Sequence, residues 1–172
     1  EIVTGRKGNM SIALETFGKA GHAAMAGKEK ASAILEMAHK IIMAEDLNDP
    51  EKKISVNVGK MQGGMGPNTV PDKALARIDV RYASPGDRLE LKEKFDKIAG
   101  SSHVPGTHAR LEFVSGRPPM PQGADNKRLF DIVKDVASDL GVQVREEFRF
   151  GVADANLSAD ENTPFLDRPG RR

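Results

Sequence analysis

The feature that most constrains the fold is a set of four short segments in which apolar and more polar residues alternate. The clearest is Met10–Phe17, and the other three begin near Ile54, Ala74 and Leu111. Strict alternation is typical of a strand that buries one face. The sequence therefore predicts four strands, each with a single apolar side.

Two helical segments lie between these strands. Glu29–Ala44 has apolar residues at the spacing of an amphipathic helix. Its stripe consists of Ala31, Ile34, Leu35, Ala38, Ile41 and Ile42. A second helix begins at the Ser-Pro-Gly-Asp sequence of residues 84–87, has its stripe at Leu91, Phe95 and Ile98, and ends near Gly100. The order β-α-β-β-α-β predicts an α+β, ferredoxin-like fold with a four-stranded antiparallel sheet and two helices on one face.

The remaining part of the chain predicts fewer elements. A linker, GRPPMPQGADN, precedes a third helix over Asn126–Leu140, and a short strand and another possible helix follow. The residues of the third helix expected to face inward are Leu129, Ile132, Val133, Val136 and Leu140. These elements are too few to enclose a core of their own.

Composition excludes several classes of function. The chain has 172 residues and 26 basic against 25 acidic side chains, for a net charge of +1. Because these charges are well mixed, the sequence predicts neither a nucleic-acid nor a membrane partner. There is no cysteine, which excludes disulfides and thiolate zinc sites.

No motif identifies a complete catalytic centre. The four histidines form no HxH or HExxH pair, so no metal site is expected within this chain. There is no GxSxG elbow, and QGGMGPN lacks the lysine of a P-loop. Polar residues do stand at the ends of predicted elements, namely His22, Asn68, Arg81 and Arg117. Each is compatible with a functional role and with a structural one, as a turn cap or a solvated side chain.

Three stretches together resemble a known family. They are GRKGNMSIALETFGKAGHAAMAG, NVGKMQGGMGPNTVPDKALARIDVRY and FVSGRPPMP, and they resemble the zinc-dependent aminoacylase/carboxypeptidase family of metallopeptidases. That family includes glutamate carboxypeptidase and succinyl-diaminopimelate desuccinylase. The resemblance implies a two-zinc catalytic domain interrupted by a ferredoxin-like lid, which is also the dimerisation domain. Residues 5–116 would be this lid, and residues 117–172 a partial C-terminal segment of the catalytic domain.

The resemblance also implies roles for individual residues. His22 would reach the partner subunit's zinc site in a homodimer and stabilise the oxyanion. Asn68 and Arg81 would contact substrate, and Arg117 would clamp a substrate carboxylate. Gly151 and Asp154 resemble a glycine-rich substrate loop. The chain departs from the family pattern in that loop at residues 150, 152 and 153, which are Phe, Val and Ala.

The sequence therefore favours the lid of a zinc metallopeptidase that cleaves a peptide or N-acyl amino acid bond. The resemblance places the ligands for the two zinc ions of the full-length parent outside this chain, so the chain is expected to hold no metal and to be inactive alone. The alternatives are a free-standing dimerisation or ligand-binding module and a truncated relic, which the terminal DRPGRR sequence would fit.

Overall fold

The computed structural model describes residues 1–159 and 164–167. In chain order the elements are β1 (Ile2–Arg6), β2 (Gly8–Phe17), β3 (Gly21–His22), α1 (Ala33–Glu45), β4 (Ser55–Gly63), β5 (Thr69–Val70), β6 (Lys73–Tyr82), α2 (Pro85–Gly100), β7 (His108–Arg117), α3 (Ala124–Asp139), β8 (Glu146–Arg149) and α4 (Ala155–Ala159). None of the described helices has the length and apolar character needed to cross a membrane. Most of the terminal DRPGRR sequence lies outside the described residues.

The chain forms two compact units. The sheet unit comprises Met10–Val80 and Arg88–Ser115. The flanking unit comprises Glu1–Asn9, Arg81–Asp87 and the described residues from Gly116 onward. The domain bounds 5–116 and 117–172 remain a prediction.

The sheet unit has the predicted architecture. Its four strands lie in the order β4-β6-β2-β7 and form an antiparallel sheet. Numbered along the chain among themselves, these strands have the order 2-3-1-4, which is that of a ferredoxin-like fold. The expected α+β class and four-stranded sheet are therefore confirmed.

Alternation in the strands gives the sheet unit its core. The buried residues of β2 and β6 in this unit include Met10, Ile12, Leu14, Ala74, Ala76, Ile78 and Val80. Helix α2 buries Leu91, Phe95 and Ile98, which is the predicted stripe. The apolar positions predicted from the period of two in the strands and from the helical period in α2 are therefore the positions that form the core.

Helix α1 faces the core with a side that its pattern did not predict. Its buried residues are Ala33, Glu36, Met37, Lys40 and Ala44. Leu35 and Ile42, both in the predicted stripe, are 46% and 62% exposed. Ala38 of the same stripe is also exposed, whereas Ile34 and Ile41 are partly buried. At 3.6 residues per turn, Leu35, Ala38 and Ile42 lie on the side of α1 opposite its buried residues.

A buried ion pair explains this orientation. Lys40 Nζ lies 3.0 Å from Glu36 Oε1, and both side chains have no exposed surface. The ammonium also donates to the carbonyls of Ile98 and Ser101, each at 2.7 Å. Glu36 Oε2 accepts the backbone N–H groups of His103 and Val104. Since each charge has several partners, α1 can turn this side inward.

The flanking unit is less enclosed. Strands β1 and β8 pair in parallel, and α3 buries Asn126, Phe130 and Ala137. Ile132, Val136 and Leu140 are 54%, 55% and 74% exposed. The expectation that these three residues face inward is therefore wrong for the described part of the chain, because no described element covers that side of α3.

Candidate functional site

A separate two-stranded antiparallel sheet, formed by β3 and β5, pairs the segments that carry His22 and Asn68. In the antiparallel pairing of β3 with β5, Gly21 is opposite Val70 and His22 is opposite Thr69. The backbone N–H of Ala23 then donates to the carbonyl of Asn68 at 2.9 Å. The structure thus brings together two residues that are 46 positions apart in the sequence, His22 and Asn68, and both are exposed.

A tight turn sets the orientation of the His22 ring. The N–H of Met25 donates to the carbonyl of His22 at 3.0 Å. The N–H of Ala24 donates to Nδ1 of the His22 ring at 3.3 Å. A ring nitrogen that accepts a hydrogen bond carries no proton, so the neutral ring has its proton on Nε2. His22 can therefore donate from Nε2 to a group outside the β3–β5 pair.

The flanking unit holds a second cluster, in which cationic side chains surround the loop of residues 150–154. Arg81 Nη1 donates to the carbonyl of Phe150 at 3.4 Å. Arg117 Nη1 lies 3.0 Å from Asp154 Oδ1. The loop therefore contacts the two arginines that the sequence analysis had singled out.

Two further cations contact the same loop. Arg6 Nη1 donates to the carbonyl of Gly151 at 3.0 Å. Lys7 Nζ lies 4.7 Å from the centre of the Phe150 ring. Arg6 and Lys7 are both buried. Two of these four cations have acidic partners, Asp167 for Arg6 and Asp154 for Arg117, so the loop does not carry four uncompensated positive charges.

Arg117 is held by its backbone. Its N–H donates to Asn9 Oδ1 at 3.0 Å, and its carbonyl accepts the hydroxyl of Tyr82 at 3.1 Å. A Cβ atom at Gly8 would lie 2.8 Å from the carbonyl oxygen of Arg117 and 2.7 Å from the nitrogen of Pro119. Glycine at position 8 is therefore required for the close approach of these two chain segments.

Asn156 supports the loop from inside the flanking unit. It is fully buried, and its Nδ2 donates to the carbonyls of Lys7 and Pro118. Its Oδ1 accepts the N–H of Ala153 at 2.8 Å. Sequence analysis missed Asn156, and also the contacts of Arg6 and Lys7. The only signal was the position of Arg6 and Lys7 inside the GRKGN stretch.

The six predicted site residues thus fall into two groups. His22 and Asn68 lie at the β3–β5 pair of the sheet unit. Arg81, Arg117, Gly151 and Asp154 meet in the flanking unit. Their proposed roles in catalysis and substrate binding remain predictions.

The described residues do not form the two-zinc centre that the resemblance implies for the full-length parent. Within residues 1–159 and 164–167, no three His, Asp or Glu side chains lie close enough together to hold a metal ion. His39 and His103 stack on each other at 5.1 Å, and His108 stacks on Phe17 at 4.9 Å.

Comparison with known proteins places the chain in a family. A family model for the peptidase dimerisation domain matches residues 4–107. A probable carboxypeptidase from Uncinocarpus reesii is 31% identical over 147 residues, which are 77% of this chain and 33% of the relative. An uncharacterized protein from Bacillus subtilis is 26% identical over 176 residues, covering 95% of this chain and 46% of the relative.

Solved structures have the same fold. A tripeptidase from Staphylococcus aureus superimposes with a TM-score of 0.78 at 24% identity, over 96% of this chain and 44% of its own. An aminobenzoyl-glutamate utilization protein from Klebsiella pneumoniae has a TM-score of 0.71 at 20% identity, over 96% and 45%. The chain spans between a third and a half of the length of these relatives.

Proposed function

This chain belongs to the peptidase dimerisation domain family, whose members are peptidases and related hydrolases, and from that premise we propose that it is the lid and dimerisation region of a zinc-dependent, carboxypeptidase-type amidohydrolase. The substrate is a peptide or N-acyl amino acid with a free carboxylate. The chain by itself has no hydrolytic activity, because the catalytic zinc ions are bound by residues outside it.

The observation that carries this proposal is the exposed apolar side of α1. Leu35 and Ile42 lie on it, and α1 packs on the edge strand β4. An open strand edge can pair with another strand, and a two-fold axis would place the same surface on both subunits. Pairing of β4 with its copy and packing of α1 on its copy would bury both features in a homodimer.

His22 supplies a hydrogen bond to the partner subunit's site in this proposal. Hydrolysis of an amide develops negative charge on the carbonyl oxygen, and a donor held in place stabilises that charge. Because Nδ1 of His22 accepts the N–H of Ala24, the Nε2–H is left to donate to a group outside the β3–β5 pair. Asn68, which is paired beside it, contacts the substrate.

Arg117 recognises the free carboxylate of the substrate. A guanidinium has a planar fork of N–H donors that matches a carboxylate. Arg81, Gly151 and Asp154 border the same loop and line the substrate site. This arrangement accounts for a preference for substrates with a free carboxyl group.

The experiment that tests the shared site uses His22→Ala and Arg117→Gln, each expressed from the full reading frame that contains this chain. Each variant alone should lose about 100-fold or more in turnover, the usual loss for one oxyanion or substrate-anchoring contact. After equal mixing and subunit exchange, one site in each hybrid dimer has both side chains intact. Activity should then recover to about a quarter of the wild-type value, because half of the dimers are hybrid and half of their sites are complete.

The control is a mixture of each variant with itself, which should stay inactive. Absence of recovery in verified hybrid dimers would contradict a site built from both subunits. Full activity of the separate 172-residue chain would contradict its proposed role as a lid.

A further inference from the structure

We propose that the Asp154 carboxylate is bound to the Arg117 guanidinium in the absence of substrate. The substrate carboxylate must displace it in order to bind. This inference rests on the proposed role of Arg117 as a carboxylate clamp. It adds an internal competitor, carried by the same loop, that sets how tightly the clamp binds its ligand.

The ion pair between Arg117 and Asp154 is exposed, so another carboxylate can replace Asp154 in it. Arg117 Nη1 and Asp154 Oδ1 are 3.0 Å apart, and the Asp154 side chain is 93% exposed. The Arg117 side chain is 37% exposed, so solvent and ligands reach the guanidinium. A carboxylate group already sits where the carboxylate of a substrate would bind.

A second arginine–aspartate pair in the same unit shows the contrast. Arg6 contacts Asp167 Oδ2 through both Nε at 3.0 Å and Nη2 at 2.6 Å. The Arg6 side chain is 7% exposed and that of Asp167 is 22% exposed. A buried pair with two hydrogen bonds is a structural connection, whereas an exposed pair with one contact contributes little net stability.

Release of Asp154 would leave the loop in place. The backbone carbonyl of Asp154 accepts the N–H of Leu157, and Arg6 donates to the carbonyl of Gly151. The N–H of Ala153 donates to the buried Asn156. None of these bonds involves the Asp154 carboxylate, so the side chain can turn away without unfolding the loop.

The test compares ligand binding by the wild-type chain with binding by D154N, which is close in shape but lacks the charge. The probe is N-acetylglycine, and N-acetylglycinamide is the neutral comparison. Binding is followed by saturation-transfer difference NMR on the acetyl methyl protons of the probe, a signal that can be measured for every variant, including R117Q. Removal of an exposed competing ion pair should tighten binding of N-acetylglycine by about two- to fivefold.

A second signal reports the displacement itself. In the wild-type chain, saturation with N-acetylglycine should move the Asp154 carboxylate carbon signal to that of an unpaired aspartate. D135N, on the exposed Asp135 of α3, removes the same charge away from the loop and should bind like the wild type. The urea midpoint of D154N should also match that of the wild type.

The outcomes separate this inference from the proposed function. Equal binding by wild type and D154N, with binding lost in R117Q, would overturn the competition by Asp154. It would still support Arg117 as the carboxylate-binding residue. Weaker binding by D154N would also overturn it, since Asp154 would then support the clamp. Unchanged binding by R117Q would overturn both, because the clamp itself would be wrong.

Discussion

Helices α1 and α2 both contact the sheet, but they bury different kinds of surface. Helix α2 buries Leu91, Phe95 and Ile98, and these are the apolar residues that its sequence pattern indicates. Helix α1 buries an ion pair between Glu36 and Lys40 among small and apolar neighbours. It leaves Leu35, Ala38 and Ile42 of its apolar stripe exposed.

This difference shows that α1 has two distinct sides, of which one packs against the fold of this chain and the other is exposed. A helix that needs a single packing surface, such as α2, places its apolar stripe there. A helix that exposes apolar residues and buries charged ones has a second, outer surface on which another molecule can pack. We interpret that outer surface of α1 as the dimer interface.

The largest expected effect comes from breaking the buried side of α1. Glu36→Ala would leave the Lys40 ammonium without its counterion and would remove the acceptor of two backbone N–H groups. The free energy of unfolding should fall by about 3–5 kcal/mol, as it does when one partner of a buried pair is removed. Urea-induced unfolding measures this loss.

Two further variants sharpen that result. Glu93→Ala, an exposed glutamate on α2, should change the free energy of unfolding by no more than about 0.5 kcal/mol. Combining Glu36→Met with Lys40→Met removes the unpaired charge and should restore part of the loss, but not all of it, because the backbone N–H groups of His103 and Val104 still lack an acceptor. If Glu36→Ala unfolds at the wild-type urea concentration, the ion pair does not determine the orientation of α1.

The next effect concerns the outer side of α1. The wild-type chain should form a homodimer in sedimentation equilibrium. Ile42→Asp should weaken the dimer by about 100-fold or more, since each dimer buries two copies of this side chain at about 1.5–3 kcal/mol each. The matched control is Leu89→Asp on α2, because Leu89 is 65% exposed and Ile42 is 62% exposed. Equal dissociation by both variants, or a monomeric wild type, would refute α1 as the interface.

A smaller effect appears on acidification. Burial tends to raise the pKa of Glu36, but hydrogen bonds from Lys40 and from the backbone N–H groups of His103 and Val104 hold this pKa below its ordinary value of 4.5. Because the pKa is lower in the folded state, Glu36 stabilises the fold fully above pH 4.5 and loses this contribution as pH falls through its folded pKa. The urea midpoint should decrease over that range.

The comparison with Glu36→Gln isolates this carboxylate. Glu15 and Glu90 also have lowered pKa values, mainly through hydrogen bonds from Lys73 and Lys94. The wild type should therefore lose more stability than Glu36→Gln below pH 4.5. Parallel pH profiles would show that Glu36 is not a source of the acid sensitivity.

The smallest effect is expected at His22, which belongs to neither helix. Its ring is exposed, and Nδ1 of the ring accepts a hydrogen bond from the N–H of Ala24. His22→Ala should change the free energy of unfolding of this chain by no more than about 0.5 kcal/mol. Unfolding of the variant at a much lower urea concentration would instead assign His22 a structural role.

Local pattern in the sequence determined much of this protein. Alternation placed the four main strands, and helical spacing placed α1, α2 and α3 within a few residues of their observed bounds. These signals are reliable because a side chain's direction follows from the backbone period alone. Strands β3 and β5 were missed because two residues carry no pattern, and β1 was missed because residues 3–6 are buried throughout and show no alternation.

Tertiary structure decided which side of α1 is buried and which polar residues lie together. Lys40 finds its acceptors at Ile98 and Ser101, and His22 comes beside Asn68 through the pairing of β3 with β5. The period of a helix shows which residues share a side, but not whether a charged pair on another side will find partners some 60 residues away. Burial of a charge depends on those distant partners, and only the folded chain supplies them.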